Sequence, residues 1–117
     1  MLNKVNQIVN LLSQYKLNLS TEKALQLNIE KIFKDNDIEY LREEKLGDEG
    51  IIDFLIGDLA IEIKTKTKIK ATYRQCKSYC NNDKVNGLLL LTNTPMNLPE
   101  EINNKPCYVV NLGYLNI

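Results

Sequence analysis

The sequence predicts an α/β fold built on a mixed sheet with helices on its faces. Three observations carry that expectation. Apolar residues recur at helical spacing near the N-terminus and again between residues 20 and 35. Two alternating apolar runs, 51–56 and 59–65, flank a Gly57-Asp58 pair suited to a two-residue type II′ hairpin. The run "GLLLLTN" at 87–93 is continuously apolar and follows a helical segment, as a buried parallel strand does after a crossover. The expected order is helix, helix, three strands, helix, strand, turn, strand (ααβββαββ), in one domain spanning residues 1–117.

The first helix is expected over 3–15, with Val5, Ile8, Val9 and Leu12 on one face. Its apolar face offers a surface on which a second copy of the chain could pack to give a homodimer. Ser20 is a suitable N-cap for the second helix, whose stripe is Leu25, Ile29, Ile32 and Phe33. A polar strand over 38–45 reads as an edge, and "LGDEG" as a turn. "KIKATYRQCKSYCNN" is helical, with Tyr73, Cys76 and Cys80 on its packing side. "PMNLPEEINN" reads as a loop or short helix before the last strand, "PCYVVNL".

Composition excludes several classes. The chain has no histidine, which removes His-based zinc sites and His-dependent triads. Its three cysteines, with Cys76 and Cys80 spaced i,i+4, do not match close metal or redox pairs and read as reduced and semi-buried. No apolar run reaches the roughly 20 residues of a membrane span, and no secretory leader is legible, so a cytoplasmic location is expected. The 15 basic and 15 acidic side chains cancel, but unevenly. Residues 21–62 hold twelve acids and five bases, whereas Lys64, Lys66, Lys68, Lys70, Arg74 and Lys77 follow with no acid among them. That segment can attract an anionic partner, or be the solvated start of a helix.

The hairpin register pairs Ile56 with Leu59, and by extension sets Asp53 opposite Glu62 and Ile51 opposite Lys64. Alternation then sends Ile52, Phe54, Ile56, Leu59, Ile61 and Ile63 to one face and Asp53, Glu62 and Lys64 to the other. Directly opposed side chains have Cβ atoms about 4.5–5.5 Å apart, where two ionised carboxylates repel. A shared proton, the Lys64 ammonium or a hard divalent cation such as Mg²⁺ or Mn²⁺ relieves that. The same triplet is also compatible with the solvated face of an ordinary hairpin. Glu22 points toward the sheet from the second helix, although a first-turn Glu also suits the helix dipole. Gln75 and Tyr79, four apart, share a helix face and can orient a ligand or bond locally.

Together, Asp53, the Glu62-Ile63-Lys64 triplet, the helix bearing Glu22 and the crossover to "GLLLLTN" resemble the PD-(D/E)xK nuclease superfamily. "QCKSY" resembles the Q-x-x-x-Y motif of its RecB-like branch, at Gln75 and Tyr79, as in small single-domain members of the junction-resolvase type. Ile52 stands where the family usually has Pro. The resemblance implies a restriction-endonuclease-like core and a Mg²⁺-dependent nuclease hydrolysing phosphodiester bonds, with DNA as the expected substrate. Asp53, Glu62 and the backbone carbonyl of Ile63 would hold the metal, with Glu22 completing the site. Lys64 would position the attacking water. Gln75, Tyr79, Lys66, Lys68, Lys70 and Arg74 would bind substrate. The alternative it implies is an inactive domain of the same fold that binds nucleic acid or a partner protein.

Overall fold

The computed structural model describes residues 1–115. Helix α1 (Leu2–Leu12) and helix α2 (Glu22–Asp35) precede strand β1 (Leu41–Lys45). A 3-10 turn at Gly47–Glu49 leads to β2 (Ile51–Ile56), and β3 (Leu59–Lys64) returns beside it. Helix α3 (Ile69–Tyr79) crosses to β4 (Gly87–Thr92). Two strands then follow, β5 (Glu101–Ile102) and β6 (Lys105–Asn111), and a single helical turn, α4 (Leu112–Leu115). The sheet order is β1-β2-β3-β4-β6-β5. The first three strands are antiparallel neighbours, β3, β4 and β6 run parallel, and β5 is antiparallel to β6.

The two sheet faces have separate cores. Helices α1 and α2 bury Val5, Ile8, Leu12, Leu25, Ile29 and Phe33 against Phe54, Ile61, Ile63, Leu89 and Leu91. Helix α3 buries Cys76, Tyr79 and Cys80 against Leu55, Ala60, Leu88 and Leu90 on the reverse face. Strand β4, with all six residues buried, is therefore covered on both sides, which is why its sequence is continuously apolar. Val5, Ile8 and Leu12 of the α1 apolar face are buried by this packing, while Leu2 stays exposed and Val9 is partly buried.

Local chemistry explains several boundaries. Gly57 has φ +60° at the first position of the β2–β3 turn, the left-handed conformation that a type II′ hairpin demands there. The N-cap of α2 is Thr21, not Ser20. Thr21 is extended and its side chain accepts from the Ala24 N–H at 3.0 Å. Ser20 is diverted, because its hydroxyl donates to Asn18 Oδ1 at 2.6 Å. Strand β5, expected as loop or helix, forms because Asn103 and Asn104 both take positive φ (53° and 63°) and close a tight hairpin with β6. The observed order is thus ααβββαβββα. β5 pairs only with Lys105 and Pro106, so beyond them the outer edge of β6 has no strand partner among the described residues.

Replacing Thr21 by Ala should lower stability by about 1 kcal/mol, the usual worth of a helix cap. Ser20→Ala should change it by no more than about 0.5 kcal/mol. Urea denaturation of both variants checks which residue caps α2.

Candidate active site

The β2–β3 ladder runs as its turn dictates through Ile56↔Leu59, Leu55↔Ala60 and Phe54↔Ile61. At the next position side chains take over from backbone. The Asp53 N–H donates to Glu62 Oε1 at 3.3 Å, and the Ile63 N–H donates to Asp53 Oδ2 at 2.8 Å. Each carboxylate is therefore held by an N–H of the other strand. On the opposite side, the β1–β2 register passes from Arg42↔Phe54 to Glu44↔Ile52. Glu43, opposite Asp53, is twisted to φ +52°, and Arg42 Nη1 donates to the Asp53 carbonyl at 3.0 Å. The strand irregularity at Asp53 turns Ile52 over. It joins the α3-side core, not the Phe54 face that strict alternation assigns it.

Three neighbours complete the carboxylate pair. Gln26 Nε2 donates to Asp53 Oδ1 at 3.3 Å, and Gln26 is itself fixed by Arg42 Nη2 at 2.8 Å. Arg42 lies 4.8 Å over the Phe54 ring and pairs with Glu30 and Glu43 at 3.8 and 3.5 Å. Lys64 Nζ stands 3.5 Å from Glu62 Oε2. Tyr79 Oη is 3.0 Å from the same oxygen and 2.9 Å from the Ile51 carbonyl. Gly50, at φ +112°, admits the Tyr79 ring: a Cβ there would come within 3.2 Å of Cε1.

The predicted residues divide. Asp53, Glu62 and Lys64 converge. Glu22 reaches the end of β3, where its Oε1 accepts from the Thr65 N–H at 3.1 Å, but it does not join the pair as a third acid. Among the described residues no three acidic or cysteine side chains gather as a metal site. Tyr79 is fully buried and acts on Glu62, so it has no surface to offer a substrate directly. Gln75 is half-buried, one turn before it. Lys66, Lys68, Lys70 and Arg74 are exposed on the loop after β3 and the first turns of α3. That loop is tied to the end of β4, through Lys66 N–H to Asn93 Oδ1 and Thr67 N–H to Thr94 Oγ1. The cluster therefore lies at the carboxyl ends of parallel β3 and β4, where open α/β sheets commonly bind ligands.

Sequence reading overlooked Gln26 and Arg42. Gln26 follows Glu22 by four residues and shares its helix face, a spacing that was there to be read. Arg42 carried no such signal, because its role depends on the broken register beside Asp53.

Burial dominates the electrostatics. It raises the Glu62 carboxyl, only 1% exposed, to about 8, and the nearby Asp53 charge pushes the same way. Lys64 and the Tyr79 hydroxyl oppose them. Burial also raises Asp53, but the Ile63 N–H and the Lys64 and Arg42 charges pull it back. Burial thus favours the protonated form in both members of the pair. The Tyr79 hydroxyl faces two acceptors, donating toward Glu62 Oε2 at 3.0 Å and the Ile51 carbonyl at 2.9 Å.

No protein-family model, curated protein or solved structure matches this chain significantly.

With chelator present, the raised Glu62 carboxyl makes the folded state bind a proton that the unfolded chain releases above about pH 4.5. Stability should therefore fall as pH rises from about 5 to about 8, lowering Tm by several degrees. Glu62→Gln should flatten that slope; a parallel slope in the variant would assign it elsewhere. Tyr79→Phe should cost about 1–3 kcal/mol by leaving buried acceptors short of a donor, measured by urea denaturation.

Proposed function

We propose that this chain is a metal-dependent nuclease of the PD-(D/E)xK type, with a restriction-endonuclease-like core, that hydrolyses phosphodiester bonds in DNA. The observation that supports it most is the convergence of Asp53, Glu62 and Lys64 where β2 and β3 part, with Lys64 Nζ 3.5 Å from Glu62 Oε2.

The donor set suits Mg²⁺ or Mn²⁺. Mg²⁺ is commonly held by one or two carboxylates, with waters and substrate phosphate filling the remaining positions. Asp53 and Glu62 would be the carboxylates. An extended residue turns its N–H and C=O to the same side, so the Ile63 carbonyl faces the gap into which its N–H donates, and would be a third oxygen. Glu22 would act from outside, holding the Thr65 backbone. Bound there, the cation would supply Lewis-acid charge for a nonbridging phosphate oxygen and a more acidic water.

The chain's own groups do the rest. Tyr79 donates to Glu62 Oε2 and would thereby favour the ionised carboxylate that holding a cation requires. Gln26 and Arg42 keep Asp53 oriented. Lys64 positions water and offsets negative charge developing on phosphorus-bound oxygens. Lys66, Lys68, Lys70 and Arg74 line the approach for the nucleic-acid backbone, with Gln75 nearby on α3.

A second reading rests on a specific observation. Glu62 is almost wholly buried, and no three-donor cluster forms among the described residues. Those features suit a catalytically inactive domain of this fold that binds nucleic acid or a partner protein.

Of single-stranded, duplex, flapped and four-way DNA, at least one should be cut in Mg²⁺ or Mn²⁺ and spared in chelator. Asp53→Ala and Lys64→Ala should each reduce cleavage by at least about a hundredfold with the fold intact by circular dichroism. Cleavage by either variant at the parent rate would end the assignment. Salt-dependent duplex binding without cleavage would favour the inactive domain instead.

A further inference from the structure

The candidate active site leaves one nucleophilic pair unused. Cys80, at the end of α3, and Cys107, in β6, stand with sulfurs 3.9 Å apart. They are 27 residues apart in sequence, and both are free thiols. Two cross-links hold the elements that bear them. Asn103 Nδ2 donates to the Cys80 carbonyl at 3.1 Å, and Lys105 Nζ donates to the Asn82 carbonyl at 2.7 Å. The β5–β6 hairpin thus holds the end of α3 beside the pair.

The two sulfurs differ in environment. Cys80 is fully buried. Cys107 is half-buried and lines a groove of about 390 Å³ beside Leu98, Glu100 and Tyr108, large enough to admit a small oxidant. The Cys80 thiol hydrogen-bonds to Cys107 and holds it below the ordinary thiol range, while the same contact pushes Cys80 up. Cys76, on the same helix, is buried and raised to about 12 by desolvation and then by Glu62, so it is the poorer nucleophile.

We propose that Cys107 and Cys80 are a peroxide-reactive pair, with Cys107 the attacking and Cys80 the resolving thiol. The Cys107 thiolate attacks one peroxide oxygen. The O–O bond breaks, and the departing hydroxide takes a proton to become water, leaving Cys107 as a sulfenic acid. The Cys80 sulfur then attacks Cys107, losing its proton. The S–O bond breaks, and the second oxygen leaves as water. Two thiols and one peroxide give one disulfide and two waters. Forming it requires the sulfurs to close from 3.9 Å to about 2.05 Å.

The test treats the folded full chain with hydrogen peroxide, blocks the remaining thiols by alkylation and maps peptides by mass spectrometry without reductant. The expected result is a Cys80–Cys107 link, reversed by dithiothreitol, with Cys76 alkylated. Before oxidation, Cys107 should alkylate at least about tenfold faster than Cys76. Cys76→Ser should leave the link unchanged. Cys80→Ala should stop at a Cys107 sulfenic acid, captured by a dimedone probe. A Cys76–Cys80 link, a link only between separate chains, or overoxidised Cys107 with no link in the parent would overturn the proposal. The parent alone yields these readouts, so it stays testable if a variant fails to fold.

Discussion

The reciprocal grip between β2 and β3 is the constraint on which the rest of the site depends. Asp53 and Glu62 are acids placed just beyond Phe54↔Ile61, where the backbone pairing of β2 with β3 ends. Instead, each carboxylate accepts from the opposite strand's N–H. The strands can then separate without leaving those donors unsatisfied, a penalty that buried backbone rarely bears. Much of the surrounding irregularity follows. Arg42 takes the Asp53 carbonyl, Glu43 twists into the left-handed region, and Ile52 turns to the reverse face.

That arrangement is costly in isolation. Two carboxyls beside each other, one of them almost wholly buried, are disfavoured when both are ionised. A well-packed apolar pair at these positions would satisfy the hairpin equally well. The surrounding shell is instead polar on both sides of the sheet, with Gln26 from α2, Arg42 from β1 and Tyr79 from α3. Three elements thus converge on one pair of acids, which is more organisation than a solvated hairpin face requires.

Much of this was legible in the residues themselves. The paired runs 51–56 and 59–65 and the Gly57-Asp58 turn pointed to the hairpin, and the apolar run 87–93 to a buried strand; the strands form over Ile51–Ile56, Leu59–Lys64 and Gly87–Thr92. Asp53, Glu62 and Lys64 emerged because period-two alternation and turn geometry are local rules. What escaped were non-local substitutions of side chain for backbone. Alternation placed Ile52 beside Phe54, but the side-chain bonds at Asp53 break the strand's regularity there. Thr21 displaced Ser20 as a cap because Asn18 had already engaged the serine hydroxyl. β5 was missed because its turn is Asn103-Asn104, without the glycine that usually marks such hairpins, and because it is only two residues long.

The half-covered margin of β6 has a consequence for how the molecule tolerates crowding. Past Pro106 the strand reads Cys107, Tyr108, Val109, Val110, Asn111, with no charge to repel a neighbour. Growth of stacked sheets, however, generally needs segments of roughly six or seven residues. Here β5 masks the beginning, and the helical turn at Leu112 bends the chain away at the end. Brevity, not electrostatic repulsion, is what guards this margin against self-templating. A substitution that straightened the chain through Leu112 would lengthen the sticky segment and leave a sound fold prone to fibril formation.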